Sequence, residues 1–237
     1  NESYAVVGYS NGNIDLLEGY LIYNIPDLKN ETMIGEKYIN SISFHKEYAY
    51  LSCAFGIIEL NLSDREINNT FLLNAAGNLG VNELIFYNDS LFAATDSGLY
   101  KASFVDNLSD FHSWSNQGEY TKIKDIATYQ SALYYTTKDS LYVYGSNKSI
   151  SQINTRSFLK TTSTGLFLLT PNKGYLVYEN GITEKHNNDL IRWASDIYTS
   201  GDTTWFADNV NGLVKKVVFY WQQFYPEGPA SKDVFSI

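Results

Sequence analysis

Apolar residues recur along the chain in short runs that are separated by turn residues. The stretch "LFAATDSGLYKASF" (91–104) places one apolar run on either side of Asp96-Ser97-Gly98, which is typical of a β-hairpin. The hairpin is repeated: Gly56, Gly98 and Ser140 occupy its turn and are spaced by 42 residues each time. The chain is therefore predicted to consist of repeated strand-turn-strand units.

A second set of repeated segments, which we call anchor segments, has the same spacing. The segments "INSISF" (39–44), "VNELIF" (81–86) and "IKDIAT" (123–128) also begin 42 residues apart. A period of about 40 residues is typical of repeat arrays and propellers. Looser copies of the hairpin have their turn glycines at Gly12, Gly174 and Gly212.

Each copy is predicted to contain four strands. In the best-defined copy they cover 81–86, 91–95, 99–104 and a less regular segment around 112–115. The second strands are apolar without alternation, which indicates burial on both faces, as in a sheet stacked between two others. We therefore predict an all-β fold, a β-propeller of four-stranded antiparallel blades, with about six blades visible and a seven-bladed ring left open.

The strand count bears on domain organisation. Six second strands are predicted to begin at Tyr4, Ala49, Leu91, Leu133, Leu166 and Thr204. Six first strands are predicted at Ile39, Val81, Ile123, near Leu159, at Trp193 to Tyr198 and at Asp233 to Ile237. Residues 1–237 are thus predicted to form a single propeller domain. Either the terminal "DVFSI" closes the ring, or the chain is a fragment of a longer multidomain protein, and the blade-like opening "GPASKDVFSI" favours a fragment.

Charge and composition exclude some partners. The chain has 26 acidic and 17 basic residues, a net charge of -9, and no basic stripe of the kind that neutralises nucleic-acid phosphates. It also lacks an apolar run of about 20 residues, the length that crosses a bilayer. We expect no nucleic-acid partner and no membrane span in this chain. The single cysteine, Cys53, is predicted to be a small buried hydrophobe.

Motifs for catalysis are missing from the sequence. His45, His112 and His186 occupy non-equivalent repeat positions, and none has a second His or Cys at metal-ligand spacing. There is no Gly-x-Ser-x-Gly nucleophile motif and no phosphate-binding glycine loop. We therefore predict no catalytic residues, no metal, no cofactor and no enzymatic activity.

Carboxylates cluster in "SDIYTSGDTTWFADNVNG" (195–212). A propeller can bring such residues together at its mouth, and a retaining glycosidase requires two carboxyl groups about 5 Å apart. Asp196 and Asp202 are the candidates for such a pair. Asp202 and Asp208 also lie in turn-like contexts, where an aspartate commonly binds the local backbone, and this interpretation is favoured.

Tryptophans are the other candidates for ligand contacts, because an indole ring stacks on apolar sugar faces and its N–H donates a hydrogen bond. Trp205 occupies a second-strand position and is predicted to lie in the core. Trp193 and Trp221 are not constrained by the repeat, and Trp221 belongs to the aromatic segment "VFYWQQFYPEG". The candidate ligand-binding residues are therefore Trp193, Asp196, Asp202 and Trp221.

Three segments carry a resemblance to a known family. "YSNGNIDLL" (9–17), "AYLSCAFGIIELNL" (49–62) and "YPEGPASKDVFSI" (225–237) resemble the N-terminal propeller of PorZ-type proteins. The resemblance implies an exported protein of the periplasm or outer surface of a Gram-negative bacterium, acting in type IX secretion as an adaptor. It implies envelope proteins, a glycan or an anionic lipopolysaccharide as partners, and a second propeller and a C-terminal β-domain elsewhere in the protein.

A more distant resemblance links the chain to two-component regulator propellers. "FAATDSGLYKA" (92–102) keeps Thr95, Gly98 and Leu99 of a pattern like Trp-x-Gly-Thr-x-x-Gly-Leu. The leading hypothesis is a non-catalytic binding or scaffolding propeller of the envelope. The alternatives are a periplasmic sensor propeller of a hybrid two-component regulator and a glycan-active enzyme that uses Asp196 and Asp202.

Overall fold

The computed structural model describes residues 4–32, 36–118, 121–146, 148–153, 157–178 and 181–224. Its strands form six antiparallel sheets, which we call blades A to F in chain order. Blade A has three described strands and each of the others has four, and within each blade the strands pair in sequence order. The predicted all-β propeller fold is confirmed.

The chain divides into two compact units, residues 1–126 and 127–237. In the first unit, blade A contains β1 (Tyr4–Gly8), β2 (Ile14–Glu18) and β3 (Leu21–Ile25), and a one-turn helix α1 (Asp27–Asn30) follows it. Blade B contains β4 (Ile39–His45), β5 (Tyr48–Cys53), β6 (Gly56–Asn61) and β7 (Glu66–Phe71). Blade C contains β8 (Val81–Tyr87), β9 (Ser90–Thr95), β10 (Gly98–Ser103) and β11 (Ser115–Asn116).

Among the described residues of the first unit, an apolar core lies on each face of blade B. Alternate residues of β5 supply them, because successive side chains of a strand point to opposite faces. Ala49, Leu51 and the buried Cys53 pack on blade A, whereas Tyr50 packs on blade C. This confirms that the second strand of blade B is covered on both faces, and that Cys53 is a buried residue.

Repeated hydrogen bonds join neighbouring blades in this unit. The Asn40 side chain donates to the Val81 carbonyl at 2.7 Å, and 42 residues later the Asn82 side chain donates to the Ile123 carbonyl at 2.8 Å. Both asparagines are the second residue of the repeated anchor segment. The anchor segments of blades B and C thus each contact the anchor segment of the next copy.

The second unit contains blades D to F. Blade D has β12 (Asp125–Tyr129), β13 (Ala132–Thr136), β14 (Ser140–Val143) and β15 (Ser149–Gln152), and β12 begins two residues before the unit does. Blade E has β16 (Phe158–Thr162), β17 (Gly165–Thr170), β18 (Lys173–Tyr178) and β19 (Gly181–Asn187). Blade F has β20 (Ala194–Ser200), β21 (Thr203–Asp208), β22 (Gly212–Val217) and β23 (Tyr220–Phe224). Apolar cores lie between blades D and E and between blades E and F.

Several predicted boundaries differ from the structure. The fourth strand of blade C covers only Ser115–Asn116, because 111–113 form a 3-10 turn that the Asp110 side chain caps by accepting from the His112 N–H. The first strand of blade D begins at Asp125 rather than Ile123. Gly174 lies inside β18, at a break in its register with β19, and the residue with positive φ in that hairpin turn is Asn172.

Burial of the second strands is confirmed in β5, β9 and β17, whose residues are almost all buried. Blade F differs, because the first half of β21 is only half-buried and includes Trp205. The Trp205 ring packs 5.4 Å from the Phe224 ring, with the Lys215 ammonium 5.0 Å above it. The prediction that Trp205 lies in the core is therefore wrong. The predicted strand at Asp233 to Ile237 lies outside the described residues.

Candidate functional site

The four sequence candidates lie in or beside blade F, but not together. Trp193 immediately precedes β20, Asp196 lies near the start of that strand, and Asp202 lies in the turn after it. Each residue of a strand advances the chain by about 3.3 Å, so the Cα atoms of Asp196 and Asp202 are more than about 13 Å apart. Paired glycosidase carboxyl groups lie about 5 to 9.5 Å apart. The structure thus does not bring these carboxylates together as a catalytic pair.

Asp196 and Trp193 each form a hydrogen bond with the local backbone. The Asp196 carboxylate accepts a hydrogen bond from the Ile197 N–H at 2.8 Å, where the pairing of β20 with β21 shifts by one residue. Trp193 is 38% exposed, and its backbone carbonyl accepts from the Asn209 N–H at 3.2 Å. Trp193 is therefore the more exposed of the two candidate tryptophans.

Asp208 organises this end of blade F. Its side chain is fully buried, and one oxygen accepts from the Trp193 N–H at 2.6 Å. The other oxygen accepts from the N–H groups of Val210 and Asn211 at 2.9 and 2.8 Å. Three backbone donors compensate the buried charge, so the predicted turn role of Asp208 is confirmed. Asp202 also lies in a turn, where it is exposed.

The substitution Asp208→Asn is expected to lower the free energy of unfolding by about 2 kcal/mol, because a buried acceptor of charge-assisted hydrogen bonds becomes a neutral amide. Urea unfolding of the parent and the variant measures this difference. Asp202→Asn is the matched control, and its exposed carboxylate predicts a change within about 0.5 kcal/mol. Equal unfolding midpoints for the parent and Asp208→Asn would contradict the structural role.

The Trp221 ring is occupied by contacts within the protein. It stacks at 5.7 Å on Phe206 and meets the His186 ring edge-on at 6.1 Å. The Lys216 ammonium lies 5.4 Å from its centre. Trp221 therefore packs blade F against blade E, and its role in ligand binding stays a prediction.

His186 was not singled out by its sequence context "TEKHNND". It lies on β19, is only 4% exposed, and stacks at 5.6 Å on Phe167. The Lys216 ammonium lies 3.2 Å from His186 Nδ1, and because an ammonium only donates, Nδ1 accepts. Burial, followed by the charges of Lys216 and Lys185, lowers the pKa of His186 to about 4. This histidine is thus neutral in the folded protein at neutral pH.

Grooves between neighbouring blades were also missed by sequence reasoning. Two occur where the first strand of each blade turns into the second, with cavity volumes of about 530 Å³ between blades B and C and 640 Å³ between D and E. A third, of about 830 Å³, lies between blades A and B beside the turn from β2 to β3. Tyrosine recurs in the first two: Tyr50 lines the groove between B and C and Tyr134 the groove between D and E, two repeat periods apart. A tyrosine at the same repeat position in two blades is therefore a sequence signal that could have indicated these grooves.

Metal and membrane features can be stated for the described part of the chain only. There, no three His, Cys, Asp or Glu side chains are grouped so that they could hold a metal ion. None of the helices in those ranges has the length and apolar character needed to cross a membrane.

Comparison with protein families gives a match over the first half of the chain. Residues 2–115 match the family described as the PorZ N-terminal β-propeller domain of the type IX secretion system. The resemblance to PorZ-type propellers is confirmed. PorZ of Porphyromonas gingivalis, described as an essential bacterial surface component of that system, has a similar solved structure, with a TM-score of 0.76 at 20% identity. The match covers 96% of this PorZ-like chain and 31% of the PorZ chain.

Sensor ectodomains have the same fold. The extracellular domain of BT4673 from B. thetaiotaomicron, described as a putative one-component and as a putative hybrid two-component system, matches in two structures. Their TM-scores are 0.67 and 0.65 at 12% and 13% identity, and the PorZ-like chain covers 36% and 34% of them. At this identity the likeness shows the fold alone. No curated protein matches the chain.

Proposed function

We propose that the chain is a non-catalytic binding and scaffolding module of a Gram-negative cell envelope and acts in type IX secretion. The observation that carries the proposal is the match of residues 2–115 to the PorZ N-terminal propeller family. Likeness to the PorZ structure over 96% of the chain supports it. The location that follows is the periplasm or the outer cell surface, and the partners are envelope proteins, a glycan or lipopolysaccharide.

The distribution of charge suggests which unit would bind which partner. Residues 1–126 contain 17 acidic and 7 basic residues, which leaves 9 acidic and 10 basic residues of the 26 and 17 for residues 127–237. An anionic lipopolysaccharide would be repelled by the first unit and tolerated by the second. We therefore assign protein partners with basic surfaces to the first unit, and an anionic glycan to the second.

Gene disruption in the source bacterium tests the role in secretion. Cargo proteins of the type IX system are expected to accumulate inside the cell envelope, and complementation with the intact gene is expected to restore their export. A disrupted strain that exports its cargo normally would overturn the proposal. The second test is affinity capture from envelope extract, for which recovery of neither secretion-system proteins nor lipopolysaccharide counts against it.

The sensor alternative predicts a different result from the same strain. Disruption would leave cargo export intact and abolish a transcriptional response to an extracellular ligand. Its support is the fold shared with the BT4673 extracellular domain. Cargo export and transcript profiles of the same disrupted strain therefore separate the two functions.

A further inference from the structure

The groove between blades B and C is lined by aromatic rings. The His45 ring stacks on Phe86 at 4.5 Å and on Phe104 at 5.2 Å, and the two phenylalanine rings stack on each other at 5.6 Å. Tyr50 meets Phe86 edge-on at 5.1 Å, and Tyr48 meets Tyr50 at 6.4 Å. Five rings from two blades thus surround a cavity of about 530 Å³.

Carboxylates surround these rings. Glu47 and Asp89 lie in the turns that line the groove, and Glu59, only 7% exposed, lies behind Tyr50. The Glu59 carboxylate accepts from the Tyr50 hydroxyl at 2.7 Å, and from the side-chain amides of Asn68 and Asn69 at 2.6 and 2.8 Å. Within the described ranges, these three carboxylates form no ion pair. The groove therefore combines aromatic faces with carboxylates that outnumber the one lysine, Lys46, in its lining.

Two of these carboxylates, Glu47 and Glu59, act on the phenol of Tyr48. Burial raises the pKa of its phenol, and the charges of Glu47, Glu59 and Asp64 raise it further. A negative potential that disfavours a phenolate at this position favours a cation in the same place.

The neighbouring groove contains the same chemistry with a cation in it. Between blades A and B, the Arg65 guanidinium lies 3.8 Å from the centre of the Tyr23 ring and 2.9 Å from the Glu18 carboxylate. The Tyr4 hydroxyl donates to the same carboxylate at 3.3 Å. The chain itself thus shows that a cation fits between an aromatic face and a carboxylate in this kind of groove.

The groove between blades D and E provides a comparison without charge. Tyr134 stands two repeat periods after Tyr50, but Val143 stands two periods after Glu59. The residues that line this groove include no charged side chain. The negative charge is therefore a property of the groove between blades B and C and not of the repeat.

We propose that the groove between blades B and C binds an organic cation, a guanidinium or ammonium group, supplied either as a free amine or as an arginine or lysine side chain of a protein. Aromatic faces attract such cations, and nearby carboxylates strengthen the attraction. The excess of acidic residues in the first unit, 17 against 7, guides cations toward it. Lys46 lines the groove as well, and its like charge weakens the binding.

Titration of the whole chain with N-acetylarginine amide, followed by amide chemical shifts in NMR spectra, tests the proposal. N-acetylcitrulline amide is the neutral isostere. We expect saturable shifts at residues of this groove for arginine and none for citrulline. A peptide with one central arginine separates the two sources: binding tighter than that of the amide indicates a protein side chain, and equal binding indicates a free amine.

Substitutions of charged residues in this groove are expected to change the affinity for arginine in opposite directions. The double variant Glu47→Gln/Asp89→Asn is expected to weaken arginine binding about fivefold, since each exposed ion pair contributes modestly to binding. Lys46→Asn, which removes a like charge, is expected to strengthen it about twofold by the same principle. Gln130→Ala in the uncharged groove is the control and should leave binding unchanged.

The proposal is overturned by any of three results: arginine and citrulline amides shifting the same residues equally, no saturable shift with arginine amide or with the peptide, or arginine binding unaffected by the double variant. Near-parental spectra of the free double variant establish that it is folded. The test does not depend on the role in secretion, because it uses the isolated chain and small probes.

Discussion

Replacing Gly56 by alanine is expected to lower the free energy of unfolding by about 3 kcal/mol or more. Gly56 begins β6 with a φ of +156°, and an added Cβ would collide with the backbone carbonyl oxygen of Phe71. That oxygen belongs to the strand paired with β6, in the register that joins Ile57 to Phe71. The collision therefore cannot be relieved by a side-chain rotation and requires the end of blade B to separate.

Thermal and urea unfolding of Gly56→Ala and the parent measure this effect. Gly181→Ala is the matched control, because no atom lies within 4 Å of its added Cβ, and its stability should stay within about 0.5 kcal/mol of the parent. The equivalent positions are occupied by Gly98, with a φ of +137°, in blade C and by Ser140 in blade D, so the repeat does not always require glycine there, and the Phe71 carbonyl is a steric reason specific to position 56. A Gly56→Ala variant as stable as Gly181→Ala would disprove the argument.

Much of the fold could be predicted from the sequence because its signals are local. Two anchors repeated at 42-residue spacing, and second strands without alternation, depend only on which residues stand next to one another. The 3-10 turn at 111–113 shows where such signals fail, because its cap is a single Asp110 side chain in a segment unlike the other copies. The prediction that Gly174 occupies a turn was wrong for a similar reason. In that hairpin Asn172 adopts the positive φ, so Gly174 lies within the strand.

The chemistry was harder to predict because it depends on distances in space. Asp196 and Asp202 are six residues apart in sequence, but an extended strand carries them to opposite ends of blade F. Conversely, Tyr50 and Phe86 are 36 residues apart and their rings meet at 5.1 Å. Glu59 does carry a signal in the sequence, because it is a carboxylate inside the apolar run "GIIELNL" (56–62). Its burial among hydrogen-bond donors explains why an acidic residue is tolerated there.

Lowering the pH from about 6.5 to 4 is expected to destabilise the parent by about 2 kcal/mol more than the variant His186→Phe. His186 has a pKa of about 4 in the folded protein and an ordinary value of 6.5 when exposed. Between these values the unfolded chain binds a proton and the folded chain does not, so stability is lost as the pH falls. The full contribution is present above pH 6.5, and the loss levels off below about 4.

The groups around His186 make this the expected direction. The Lys216 ammonium faces its Nδ1, Lys185 precedes it on β19, and the rings of Phe206 and Trp221 pack against it. Among the described residues, His186 forms no ion pair with a carboxylate that would compensate a second positive charge. Phenylalanine fits the same aromatic surroundings without a titrating group. Carboxylates also titrate near pH 4, so the difference between parent and variant, obtained from urea unfolding at several pH values, isolates the histidine. A His186→Phe profile parallel to the parental one would show that the buried imidazole does not resist protonation.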